Sequence, residues 1–158
     1  MSERFPIRIR EATDADVGFV MKSWLETYRR ESSWARRMQA NVYYPNHRLV
    51  VTHLLESERT MMACSDEDPS HVVGFGCGHT LPEAIVMHFV YVSYTVRGWG
   101  ISKLLAQAFG WDPSRAVVTS HWTRHCDGLS TKTRLLYNPY LLFEDHSLKE
   151  IAGNATHG

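Results

Sequence analysis

Residues 94–105, YTVRGWGISKLL, decide how the rest of the chain is read. Arg97, Gly98 and Gly100 stand between a strand-like run and a helix-like one. At a helix N-terminus several backbone N–H groups lack intrahelical partners, and together with the helix dipole they favour an anion. Glycine removes the side chains that would hold a phosphate away and permits positive φ where a corner needs it. Arg97 adds a charge and a planar fork suited to phosphate oxygens. The corner can therefore cradle a pyrophosphate, although taken alone an ordinary tight turn is the simpler account. It is not the dinucleotide fingerprint, whose glycines are spaced further apart, and it lacks the GK[ST] of a P-loop.

Working outward, residues 84–94, AIVMHFVYVSY, read as a long apolar strand before the corner. Ile101, Leu104, Leu105, Ala108 and Phe109 form a helix face after it, stopped by Gly110 and Pro113. Residues 115–120, RAVVTS, read as another buried strand, probing the same sheet. Upstream, residues 7–12 alternate apolar and charged side chains as a half-buried strand does. Thr13-Asp14-Ala15-Asp16 opens a helix with Val17, Val20, Met21, Trp24, Leu25 and Tyr28 on one face, ending near Arg30. Pro45 and Asn46 open a second helix with Leu49, Val50, His53 and Leu54 facing inward. Residues 34–44 are helix or loop, and Tyr43 and Tyr44 either line a cleft or pack on the core. Residues 60–65 and 71–80 are strands joined across DEDPS, with a third antiparallel strand at 84–94. Gly74, Gly76 and Gly78 leave one face of the middle strand almost bare. A bulge, a close backbone approach, a bulky neighbour such as Trp24 or Trp34, or room for a second substrate would each account for that. Residues 121–143 mix polar loop with the apolar cluster LLYNPYLLF, and the tail after Lys149 reads as frayed.

The fold class is α/β: a mixed, mostly antiparallel central sheet of about six strands flanked by helices. Neither a repeat nor a linker divides the 158 residues, so residues 1–158 are read as a single domain. Lys plus Arg balances Asp plus Glu, 17 against 17, which argues against an electrostatically driven nucleic-acid binder. Arg29, Arg30, Arg36 and Arg37 read as a solvated face. No apolar run reaches membrane-spanning length, and MSERFPIRIR lacks the apolar core of a secretory leader, so the expected location is cytoplasmic with no membrane partner. Cys64, Cys77 and Cys126 make no CxxC pair. Nine histidines include no HExxH, His121 and His125 are read as surface residues of a loop, and no metal is expected.

The corner is not isolated. Arg97-Gly98-Trp99-Gly100-Ile101-Ser102 resembles the acyl-CoA motif (Q/R)-x-x-G-x-(G/A) of the GCN5-related N-acetyltransferase family. It matches at the first and fourth positions and carries serine for glycine or alanine at the last. The strand before it, the KLLAQAF helix after it and the order of elements over residues 7–120 are similar to the family's. Residues 121–158 are poorly matched. The resemblance implies an acyl-CoA N-acyltransferase-like fold, with acetyl-CoA as co-substrate held by Val90, Tyr91 and Val92 of the strand and by residues 97–102, and acetyl transfer to a primary amine of a small molecule or peptide. It also makes a homodimer plausible.

Direct transfer needs a polarised thioester carbonyl, an amine that loses a proton and a thiolate that regains one. The resemblance assigns polarisation to a backbone N–H near residues 90–92. For the base, Glu83, His88 and His79 remain open, against readings as a solvated acid and a satisfied core histidine. For the acid, the resemblance points to Tyr137, then Tyr140, although a core role is as good a reading and Pro139 disfavours a helix there. Trp99 either stacks on adenine or covers the loop. The rival functions are an acyl-CoA-binding or interaction module without turnover, and a structural protein in which the corner is only a turn.

Overall fold

A computed structural model describes residues 4–143; the tail after Lys149 lies outside the described residues. The strands are β1 (Ile7–Glu11), β2 (Arg59–Ser65), β3 (Val72–Thr80), β4 (Ala84–Val92), β5 (Ala116–Thr119) and β6 (Leu135–Tyr137), and they form one sheet in sequence order. β1 to β4 pair antiparallel, whereas β5 and β6 run parallel to β4 and to each other. The helices are α1 (Val17–Glu31), α2 (Ala40–Ser57), α3 (Ile101–Ala108) and α4 (Arg124–Leu129).

Each face of the sheet has its own core. On one side α1 and α2 bring Val20, Trp24, Leu25, Tyr28, Tyr43, Val51 and Leu54 against Met62, Phe75 and Phe89. On the other, α3 brings Ile101, Leu105 and Phe109 against Met61, Val73, Ile85 and Met87. Alternation along β4 should keep residues 85, 87, 89 and 91 on a single face. It does not, because Gly78 pairs with Met87 and Cys77 with Phe89, which leaves His88 as an extra residue in the ladder. Ile85 and Met87 therefore face α3, while Phe89 and Tyr91 face α1 and α2.

The bare face of β3 turns toward α3. A Cβ on Gly76 would lie 2.8 Å from Met87 Cε and 3.7 Å from Leu105 Cβ, and one on Gly78 would lie 1.8 Å from the Val86 carbonyl oxygen. The glycines thus let β4 and α3 come close; Trp24 packs on the opposite face and is not the ring they accommodate. At the entry to α1, Asp16 accepts from Thr13 N–H at 2.8 Å and from both terminal nitrogens of Arg10 at 2.7 and 2.9 Å. That ties β1 to the helix start, and the Arg10 guanidinium holds the Asp16 carboxyl below its ordinary range.

Several expectations are corrected. α2 begins at Ala40, and Pro45 lies inside it; the neighbouring Asn41 and Asn46 are exposed, so water and the Asn46 side chain, which donates to the Val42 carbonyl at 2.7 Å, can serve the disturbed turn. Leu49 is 70% exposed and His53 is exposed, so Val51 rather than Leu49 faces the core. Tyr43 is a core residue whose hydroxyl donates to the Leu25 carbonyl at 2.7 Å. Leu104 is partly exposed and Val17 is exposed.

Gly78→Ala should cost about 1–3 kcal/mol or more, because backbone rather than a flexible side-chain end blocks the added methyl. Gly18→Ala, with open space around its Cα in α1, should instead stabilise by roughly 0.5–1 kcal/mol. Urea unfolding of the two variants beside the parent chain checks the contrast.

Candidate functional site

β4 leaves β5 early. Their parallel ladder covers only Ala84–Ala116, Ile85–Val117 and Val86–Val118. Just beyond it the Thr119 hydroxyl donates to the His88 carbonyl at 3.2 Å, so that carbonyl looks toward β5. Ser93 N–H donates to the Val73 carbonyl at 2.7 Å, on the β3 side. Backbone groups alternate along a strand. Phe89 and Tyr91 therefore bond to β3, and Val90 and Val92 present N–H and C=O to an edge that no described strand covers. That edge leads directly into the glycine corner.

There, a short 3-10 turn at Tyr94–Val96 precedes Arg97, and Gly98 and Gly100 take φ of +85° and +78°. Gly100 caps α3 in the left-handed region, which favours glycine. A Cβ at either glycine would meet nothing within 4 Å, so the corner opens onto space. Among the described residues the amides of Gly98, Gly100, Ile101 and Ser102 have no acceptor. Arg97 lies over the Tyr94 ring at 5.6 Å, and Arg4 reaches the Gly98 carbonyl at 3.5 Å. Ile101 is buried, so only its amide is available, and Ser102 is partly buried. Trp99 packs edge-on against Phe5 at 4.9 Å with Arg4 over its ring, an arrangement that covers the loop.

The three candidate bases are differently placed. Glu83 is exposed just before β4, about 23 Å along the strand from Val90. His88 is fully buried with both ring nitrogens engaged, Nδ1 with Ser120 Oγ at 2.7 Å and Nε2 with Glu58 Oε1 at 3.2 Å. His79 Nδ1 meets the other Glu58 oxygen at 2.7 Å. Tyr137 sits at the end of β6 opposite Thr119, 45% exposed, and lines a cavity of about 340 Å³ with Ser33, Trp34 and Trp122. Tyr140 is 76% exposed, so neither tyrosine is a core residue. The helix after β5 is α4, and it carries no tyrosine.

The sequence reading missed His47, Ser120 and Glu58, three members of a buried network, and misplaced a fourth, His121. Ser120 Oγ meets His121 Nδ1 at 2.9 Å, and His121 Nε2 meets His47 Nε2 at 2.9 Å. His47, His121, Ser120, His88, Glu58 and His79 thus form one continuous hydrogen-bonded chain. His121 is buried rather than a surface residue, whereas His125 is exposed on α4. Burial lowers the His47 pKa to about 4 and holds His121 well below the ordinary imidazole range. For Glu58, burial raises the carboxyl pKa, but the hydrogen bonds with His88 and His79 outweigh it and the net direction is down. No signal in the sequence marks Glu58, which ends a helix in the polar run ESER.

No protein-family profile matches the chain, and no curated protein matches its sequence. Solved structures do resemble it. The apo form of YjaB from Escherichia coli aligns with a TM-score of 0.56 and 18% identity over 81% of either chain. A protein described as histone acetyltransferase HPA2 and related acetyltransferase, from Corynebacterium glutamicum, aligns with a TM-score of 0.57 and 16% identity, over 80% of this chain and 82% of that one. The likeness is one of fold, and the fold is the acyl-CoA N-acyltransferase-like one that the corner motif implied.

A pH dependence of stability follows from the buried imidazoles. The folded pKa of His47 lies below the unfolded value near 6.5, so the unfolded chain binds the extra proton. The stabilisation is complete above pH 6.5 and is lost as pH falls toward 4, by about 3 kcal/mol for His47 alone. Urea midpoints between pH 7 and 4 should fall accordingly, and the slope should shrink in His47→Gln.

Proposed function

We propose that the chain is an N-acetyltransferase that moves an acetyl group from acetyl-CoA to a primary amine by direct transfer. The observation that carries this reading is the uncovered edge of β4 ending in a left-handed glycine corner. The residues fit the co-substrate. Free amides at Gly98, Gly100, Ile101 and Ser102, with the Arg97 guanidinium beside them, suit a pyrophosphate. Val90 and Val92 offer alternate donors and acceptors to an extended amide-bearing arm, as an added strand would. Acetyl-CoA supplies the activated acyl group; in this reading the Val90 N–H, unpaired on the uncovered edge, polarises its carbonyl as charge develops on the oxygen.

The cavity beside Tyr137 suits the acceptor. Trp34, Trp122 and Tyr137 give it aromatic walls, and such faces attract an ammonium group before it is deprotonated. The acceptor is accordingly a small-molecule or peptide amine. Partial burial raises the Tyr137 hydroxyl pKa, which keeps it protonated and able to return a proton to the departing thiolate.

A second reading, an acyl-CoA-binding module without turnover, is favoured by one observation: no candidate base is both unpaired and beside Val90, since His79 is paired to Glu58 through Nδ1 and stands opposite Val86. His88 has both nitrogens engaged, and Glu83 stands at the far end of β4.

Calorimetric titration of acetyl-CoA tests both. The folded wild-type chain should bind stoichiometrically and an Arg97→Ala, Gly100→Val variant should not; absence of binding to the wild type would overturn the cofactor reading. With binding established, an amine screen separates catalyst from module. In the enzyme, Tyr137→Phe should lower kcat by roughly 100-fold while leaving acetyl-CoA affinity unchanged.

A further inference from the structure

We propose that Glu58, His79 and His88 form a binding site for a divalent first-row transition ion, Zn²⁺ foremost. The three side chains come from the end of α2, from β3 and from β4, and one ligand atom from each lies within 4.8 Å of the other two. Two imidazoles and a carboxylate are the donor set that borderline cations select, and three protein ligands leave a position for water.

Three observations point to a cation rather than to hydrogen bonding alone. The first is charge. Glu58 is 15% exposed, and among the described residues its partners are the two histidines and no Lys or Arg pairs with it. A carboxylate so enclosed calls for a counter-charge.

The second is access. His88 is fully buried, but the His79 side chain is 34% exposed, so the cluster is open on one side and His79 has room to close on an ion. Cys77, two residues before His79, turns its thiol to the Leu54 carbonyl at 3.9 Å and is not among the converging ligand atoms.

The third is the hydrogen-bonded chain behind His88. Without a metal, Glu58 can only accept, so His88 donates through Nε2. Its Nδ1 then accepts from the Ser120 hydroxyl, Ser120 accepts from His121 Nδ1–H, and His121 Nε2 accepts from His47. A metal on His88 Nε2 needs that lone pair, so Nδ1 must carry the proton. Ser120 can accept it and donate to His121 Nδ1, and His121 can then donate through Nε2 to His47. Every bond behind His88 survives the reversal. The chain thus meets the requirement that a ligating histidine hand its other N–H to a fixed partner, which sets ring orientation and tautomer. The site is independent of the acetyl-CoA reading, because it shares no residue with the β4 edge or the glycine corner.

The test is titration of the full chain with ZnCl₂, in the absence of acetyl-CoA, by calorimetry and by ¹⁵N NMR of the histidine side chains. One equivalent should bind, and His121 should switch from the Nδ1–H to the Nε2–H tautomer although it touches no metal. Glu58→Gln and His79→Ala should each weaken binding by more than about 100-fold, and Ser120→Ala by roughly 10–100-fold. His53→Ala and His125→Ala, at exposed histidines elsewhere, should leave it unchanged. Because the His79 side chain is about a third exposed, His79→Ala should fold and keeps the test valid if Glu58→Gln does not. No stoichiometric binding to the folded wild type would overturn the proposal, as would binding that survives His79→Ala or leaves the His121 tautomer unmoved. The cluster would then be a carboxylate hydrogen-bonded between two imidazoles.

Discussion

The extra residue in β4 is the constraint on which the rest of the architecture turns. A regular strand would send every second side chain to the same face, and residues 85, 87, 89 and 91 would all lie on the α3 side. The extra residue His88 between Met87 and Phe89 reverses the alternation, so Ile85, Met87, Val90 and Val92 pack on the α3 side while Phe89 and Tyr91 turn to α1 and α2. The same irregularity coincides with the place where β5 stops following. Three paired residues hold the two strands together, Thr119 makes a last side-chain contact to the bulge carbonyl, and the edge beyond it is free. A bulge commonly bends a strand and strengthens its twist. Here it also turns a buried imidazole toward Glu58 and Ser120, so one local deviation shapes both the open edge and the polar chain on the opposite face.

Much of this was legible in the amino acids. The glycine corner, the apolar strand before it and the helix after it were read from residue types whose physical roles are narrow: glycine for positive φ, arginine for charge, a 3.6-residue apolar stripe for α3. The three antiparallel strands followed from alternation and from the turn residues between them. Other features were illegible for reasons that are equally physical. The start of α2 was misplaced because proline normally opens or interrupts a helix; here it sits on a solvent-facing turn. Glu58 reads as a solvated acid at a helix end, and only the register of β3 and β4 brings two imidazoles to it. His121 looked like a loop residue because the strand before it is short, yet burial beneath Trp24 and Tyr28 makes it part of the core. Tyr137 and Tyr140 sit in an apolar run, but β6 is an edge strand and leaves both largely exposed.

The two faces of the sheet divide the chemistry. The α3 face is apolar and closely packed, with glycines on β3 permitting backbone and helix to approach, and it supports the corner. The α1 and α2 face carries the histidine chain among stacked aromatics, with His47 between the rings of Tyr28 and Tyr43 at 5.0 and 5.2 Å. Such a network is sensitive to any unmade bond, because an unpaired polar group in a low-dielectric interior is costly. Complete pairing along the chain is therefore what makes four buried polar side chains compatible with a stable core.

Arg4 and Phe5 brace the glycine corner from the far end of the sequence, through the Gly98 carbonyl and the Trp99 ring. The contact between Arg4 and Gly98 spans 94 positions, more than any other side-chain hydrogen bond among the described residues. Contacts of such separation carry a large closure entropy and contribute slowly to folding. During synthesis, Arg4 and Phe5 wait for more than ninety further residues before their partners exist. The corner is thus finished late in folding, and its brace belongs among the contacts that open first under mild denaturing conditions.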